Sequence, residues 1–158
     1  MHDDFHDLWA RHAADVRRFA LYLTGDASRA DDITSETFLR AWTSSTPIRE
    51  ATLRAYLFTI ARNLASAEWR HGAKHDALPD SLISQAPGPH EQAEQGAALR
   101  RVLTGLAQLP AIDRAALMLR VRDGLSYDDI AAALGLSVAA AKVKVHRARL
   151  KLATLTGA

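Results

Sequence analysis

The chain reads as all-α, with two small helical bundles joined by a flexible linker. Three observations carry that reading. Apolar residues recur at three-and-four spacing through most of the 158 residues. No alternating apolar–polar run is long enough for a strand. The periodicity fails between Ala73 and His90, where Pro79, Pro87, Gly88 and Pro89 gather, the composition of a tether rather than of a packed element. These breaks set the expected boundaries: a first bundle over 1–72, a linker over 73–92 and a second bundle over 93–158.

The first helix is expected to bury Phe5, Leu8, Trp9, His12, Val16, Phe19, Ala20 and Leu23 on one face. Thr24-Gly25-Asp26 ends it, with glycine closing one helix and aspartate placed to cap the next. The second helix turns Ala30, Ile33, Thr37, Phe38, Ala41 and Trp42 inward. Its other side presents Asp31, Asp32, Ser35, Glu36, Leu39 and Arg40, an acidic, partly apolar face suited to a basic helical partner. Thr43-Ser44-Ser45-Thr46-Pro47 reads as loop. A third helix carries Leu53, Tyr56, Leu57, Ile60, Ala61 and Leu64 in register, keeps Arg54, Arg62, Asn63 and Arg70 off that stripe, and fades near Gly72. Beyond the linker, Leu99, Val102, Leu103, Leu106 and Leu109 form another apolar face. After Pro110 the pattern runs through Ile112, Ala115, Ala116 and Leu119 to Asp123-Gly124.

Composition excludes several function classes. With 48% hydrophobic residues the chain can build a core, and with 24% charged residues its apolar runs stay short of a bilayer span. Met1-His2-Asp3-Asp4 lacks the basic-then-apolar pattern of a secretory signal, so a cytoplasmic location without membrane insertion is expected. The absence of cysteine removes disulfides, cysteine nucleophiles and thiolate metal sites. His71 and His75 are four apart but Gly72 interrupts them, and neither they nor the cluster His2, Asp3, His6, Asp7 has a third ligand at defined spacing. No metal and no other cofactor is expected. No phosphate-binding glycine loop or nucleophile–base arrangement is visible, so the chain is not read as an enzyme.

The net charge of +2 hides an uneven distribution. Residues 1–36 carry four bases against eight acids, 37–75 six against two, and 76–98 four acids with no Lys or Arg. Residues 130–158 carry five bases and no acid. Two basic segments separated by acidic ones suit two contacts with a polyanion.

The most specific stretch is Gly124-Leu125-Ser126-Tyr127-Asp128-Asp129-Ile130-Ala131-Ala132-Ala133-Leu134-Gly135-Leu136-Ser137. Ser126 with Asp129 resembles a capping box, a short helix buries Ile130, Ala131 and Leu134, Gly135 supplies the turn, and Ser137 caps a second helix. That helix turns Ala141, Val145, Ala148 and Leu152 inward and Lys142, Lys144, His146, Arg147, Arg149 and Lys151 outward. A short helix, a glycine turn and a longer basic helix make a helix-turn-helix, whose second helix enters a major groove.

Taken in order, these pieces resemble the bacterial sigma factors of the extracytoplasmic-function (ECF) group, within the sigma-70 family. The resemblance spans nearly the whole chain. It rests on Phe19-Ala20-Leu21-Tyr22-Leu23-Thr24-Gly25-Asp26, on the run from Ala30 to Trp42, and on Tyr56-Leu57-Phe58-Thr59-Ile60-Ala61-Arg62-Asn63. In the second half it rests on Leu109-Pro110, Gly124-Leu125-Ser126-Tyr127, Ile130-Ala131 and the run from Lys142 to Arg149. The resemblance implies a transcription initiation factor that binds core RNA polymerase. Its first bundle (sigma domain 2) would melt and read the minus-ten element, and its second (sigma domain 4) the minus-thirty-five element.

The resemblance also assigns roles. Asp31, Asp32, Ser35, Glu36, Leu39 and Arg40 would dock on the β′ coiled coil, and the second bundle would meet the β flap. Ser44, Ser45, Thr46, Arg49, Arg54, Arg62, Asn63 and Arg70 would hold the minus-ten strand. Ser137, Ala139, Ala140, Lys142, Val143, Lys144, His146, Arg147 and Arg149 would meet the minus-thirty-five duplex. Some positions depart from the family pattern: Ser35 stands for a common Gln, Asp129 for Glu, Ala139-Ala140 for Gly-Thr, and Val143 for Ser. With no regulatory extension or appended sensor recognisable, control is expected from an anti-sigma factor. The chain is expected to be a monomer when free. The alternative is a stand-alone transcription regulator that dimerises on a palindrome through the helix-turn-helix.

Overall fold

The computed structural model describes residues 3–44, 52–69 and 92–157. Among them are seven α-helices and no strand: α1 (Asp3–Thr24), α2 (Ala27–Thr43), α3 (Leu53–Trp69), α4 (Gln92–Gln108), α5 (Ala111–Val121), α6 (Tyr127–Leu134) and α7 (Val138–Thr156). No helix among these residues is long and apolar enough to cross a membrane. The expected linker falls outside the described residues except at Gln92, where α4 begins.

The helix ends follow their local chemistry. The Asp26 carboxylate accepts from the Arg29 N–H at 3.0 Å and opens α2, while the Gly25 N–H closes α1 onto the Leu21 carbonyl at 2.8 Å. Pro110 is the N-cap residue of α5 and separates it from α4.

α1, α2 and α3 pack on one another around Phe19, Phe38 and Leu57, with the Phe19 and Phe58 rings stacked at 4.6 Å between centroids. α4, α5 and α6 pack with α7 in the second half. Gly105 lets α4 approach α7: a Cβ there would lie 2.7 Å from the Leu152 Cδ1. The halves also meet. α5 lies against α1 and α6 against α3, so the buried residues of both form one continuous cluster.

That contact changes two expectations about the core. Leu21 and Tyr22 lie off the predicted α1 stripe, yet both are buried, because α5 covers the side of α1 that α2 and α3 leave open. Trp9 and Trp42 were expected inside but are 37% and 42% exposed. They sit where the start of α1 meets the end of α2, touching Phe38 and Phe5 respectively.

Candidate nucleic-acid interface

The turn between α6 and α7 is built as its sequence requires. The Ser126 hydroxyl accepts from the Asp129 N–H at 3.1 Å. Gly135 adopts φ 67°, a conformation open to glycine, and the Leu136 N–H returns to the Ala131 carbonyl at 2.9 Å. The Ser137 hydroxyl then accepts from the Ala140 N–H at 3.0 Å and starts α7.

α7 buries Ala141, Val145 and Ala148 and half-buries Leu152, as expected. At about 100° per residue, the opposite ridge is Ala139, Val143, His146 and Leu150, all exposed, with Val143 at 58%. Lys142 and Arg149 flank the ridge on one side and Lys144, Arg147 and Lys151 on the other. A ridge of small, apolar and imidazole side chains between two rows of cations fits a groove between two phosphate backbones. The Lys142 ammonium also lies 5.7 Å from the Tyr127 ring, whose face Arg120 covers at 4.5 Å.

One row is anchored from inside. Asp113, on α5 and only 3% exposed, accepts from the Lys144 Nζ at 3.2 Å, the Arg147 Nε at 3.1 Å and the Arg147 Nη2 at 3.3 Å. Its hydrogen bonds and charge raise the Arg147 guanidinium above its ordinary value. Asp113 was absent from the sequence-derived set because its pattern position offered no way to see its partners 31 and 34 residues away.

α3 holds the other cations, and two of them have partners on α6. The Arg54 Nη2 reaches the Asp129 carboxylate of α6 at 3.4 Å, and the Arg62 Nη1 reaches the Ala133 carbonyl at 3.3 Å. Both point at α6 because the two halves are docked. Asn63 is exposed beside Arg62. Ser44 is the C-cap residue of α2, its N–H on the Ala41 carbonyl. Ser45, Thr46, Arg49 and Arg70 lie outside the described residues.

The α2 face lies where expected. Asp31, Asp32, Ser35, Leu39 and Arg40 are exposed and Glu36 partly so. Its charge is partly neutralised within the bundle, by Arg17 on Asp31 at 2.7 Å and by Arg40 on Glu36 at 3.0 Å. Leu39, 55% exposed, continues this face into a cleft lined by Phe5, His6, Trp9 and Ser35.

Between the halves lies a set of residues that no motif announced. Arg114 is 1% exposed, and its guanidinium donates to main-chain carbonyls: Tyr22 at 2.5 Å, Leu23 at 3.3 Å, and Leu106 and Leu109 at 3.3 and 3.5 Å. These carbonyls lie at the C-terminal ends of α1 and α4, where helix dipoles favour a cation. Burial lowers Arg114 to about 10. Asp123 accepts from the Tyr22 hydroxyl at 2.8 Å and the Arg18 Nε at 3.1 Å. Burial, then Asp123, raises the Tyr22 phenol. Burial alone would lower Arg18, but Asp123 and Asp15 outweigh it and raise it.

Comparison with known proteins accounts for both halves. Residues 8–75 match the family described as Sigma-70 region 2, and residues 99–152 that described as Sigma-70, region 4. The chain is 38% identical over 145 residues to the ECF RNA polymerase sigma factor SigL of Mycobacterium tuberculosis, covering 89% of this chain and 82% of that one. Identity is also 38%, over 143 residues, to the ECF RNA polymerase sigma factor EcfG of Rhodopseudomonas palustris, covering 89% and 78%. The solved structure of the sigma factor RpoE from Bartonella quintana, in complex with the anti-sigma factor NepR, matches at TM-score 0.73 and 26% identity over 96% of both chains. A stand-alone dimeric regulator is not favoured, since its helix-turn-helix would leave the region 2 match unexplained. An N-terminal bundle and a C-terminal helix-turn-helix, each matched in order by one family, place the chain among the ECF sigma factors, which direct RNA polymerase to promoters.

Proposed function

We propose that this sigma factor divides its contacts by element. α2, through Asp31, Asp32, Ser35, Glu36, Leu39 and Arg40, docks on the β′ coiled coil of core polymerase, and the second bundle meets the β flap. Ser44, Ser45, Thr46 and Arg49, with Arg54, Arg62, Asn63 and Arg70, hold the melted minus-ten strand. α7 enters the major groove of the minus-thirty-five element, with Ser137, Ala139, Ala140, Val143 and His146 at base edges and Lys142, Lys144, Arg147 and Arg149 on phosphates. The factor works in the cytoplasm without cofactor, is a monomer when free, and is held in check by an anti-sigma factor, the kind of partner bound to the RpoE structure.

The observation that carries this reading is the exposed α7 ridge with a cationic row on each side, in a segment with no acidic residue from Ile130 onward. The test is salt-dependent binding of holoenzyme to promoter duplex. Lys142→Ala and Arg149→Ala should each flatten the logarithmic salt slope by about one unit, the counter-ions released at one phosphate. Unchanged slopes in both would remove α7 from the duplex. For α2, Asp32→Lys with Glu36→Lys should weaken binding to core polymerase at unchanged helix content. Normal core binding by that double variant would remove the face from the docking site.

A further inference from the structure

α7 carries five cations, yet those in its first three turns are drawn away from its outward ridge. The Lys144 ammonium and the Arg147 guanidinium both donate to the buried Asp113 carboxylate. The Arg147 atoms engaged there, Nε and Nη2, form one of the donor pairs with which an arginine grips guanine. Lys142 leans to the Tyr127 ring, 5.7 Å from its centroid. The Ser137 hydroxyl is taken up as the helix cap by the Ala140 N–H. What the ridge itself offers a base edge is Ala139, Val143 and His146, all exposed.

These three form one strip. At about 100° and 1.5 Å per residue, Ala139 lies about 40° round from Val143 and about 6 Å before it along the axis. His146 lies on the same side, about 60° round from Val143 and about 4.5 Å beyond it. The thymine methyl is the one apolar group on the base edges of a major groove. It is therefore what Val143, exposed between two rows of cations, can be buried against. An imidazole carries at least one N–H donor in every protonation state. His146 has Lys142 four residues before it and Arg149 three after it, and no acid follows Asp129 in the chain. That positive surrounding favours an edge rich in acceptors, and guanine is the base that presents two of them, N7 and O6, with no donor.

We infer that α7 reads its duplex through thymine methyl groups, met by Ala139 and Val143, and through one guanine edge, met by His146. The cations on either side supply affinity for phosphates without regard to sequence. These assignments rest on α7 being the groove helix, as proposed above, and add the base groups it recognises. The element selected is then A·T-rich around a single essential guanine, rather than the run of guanines that free arginine forks would select.

The probe is obtained with the protein itself: holoenzyme made from core polymerase and this chain retains duplexes from a random-sequence pool. The most enriched duplex is remade with deoxyuridine for each thymine in turn, which removes only the methyl. It is also remade with 7-deazaguanine for each guanine in turn, which removes only the N7 acceptor. Holoenzyme binding is measured by filter retention. At least one deoxyuridine should lower affinity about threefold, the worth of one buried methyl, and Val143→Ser holoenzyme should be indifferent to it. One 7-deazaguanine should lower affinity about tenfold, and His146→Ala holoenzyme should be indifferent to that one. A second selection with His146→Gln should exchange this guanine for adenine, whose N6 and N7 match an amide. Analogue effects that are absent at every position, or that persist unchanged in both variants, overturn the inference. The salt slopes of Lys142→Ala and Arg149→Ala then tell which reading has failed. If they are flattened, only the base assignment falls; if they are unchanged, the groove reading of α7 falls with it.

Discussion

Asp113 does two things to the cationic side of α7. Its buried carboxylate fixes the angle of the Arg147 guanidinium, and it cancels charge there. On the proposed reading that Arg147 meets a phosphate, a contact blind to sequence, the cancelled charge is felt by any duplex alike. Asp113→Asn should therefore raise affinity for promoter and unrelated duplex alike and steepen the salt slope of both. Anisotropy titrations of the two duplexes at several salt concentrations check this, and unchanged slopes on both would take Arg147 off the phosphates. Tyr22 offers a second test. Replacing it with Phe removes the hydrogen bond to Asp123 and should cost about 1 kcal/mol in urea denaturation at neutral pH. Because burial and Asp123 raise its phenol above the ordinary 10.0, its contribution is complete below pH 10.0 and is lost as pH rises beyond it. Wild type should lose stability more steeply than Tyr22→Phe above that point. The opposite shift of Arg114 is common to both proteins and cancels in the difference. Parallel curves would contradict the assignment.

Among the elements, the helix-turn-helix is the part most fully dictated by its own residues. Ser137→Ala removes the α7 cap and should cost about 1 kcal/mol. Gly135→Ala should cost about 1–2 kcal/mol from the left-handed backbone alone, and its Cβ must also displace Arg62. Thermal unfolding should therefore rank Gly135→Ala below Ser137→Ala, and the reverse order would mean that the turn tolerates a side chain. Caps, turns and inward stripes could be read from the sequence because each depends on neighbours within a few positions: Asp26 with Arg29, Ser126 with Asp129, Ser137 with Ala140. The docking of α5 on α1 depends on residues about a hundred positions apart, such as Tyr22 with Asp123. A local signal did exist. Phe19 to Leu23 and Ala115 to Leu119 are each five consecutive apolar residues, all buried. A helix segment apolar on every side needs covering on every side. The candidate site divides in the same way: the outward set on α7 followed from helical period, whereas the partners of Arg54, Arg62, Lys144 and Arg147 lie on other helices.

The two halves share one buried cluster, while their basic segments lie apart in sequence, on α3 and α7. Promoter-directed initiation is the activity to which every assignment here leads. It is tested by in vitro run-off transcription, in which core polymerase is supplied with genomic DNA fragments in the presence and absence of the purified chain and the 5′ ends are mapped. The chain should generate discrete transcripts, absent with core enzyme alone, from start sites that share paired upstream elements at a fixed spacing. Transcripts identical with and without the chain would contradict its assignment as a promoter-directing subunit.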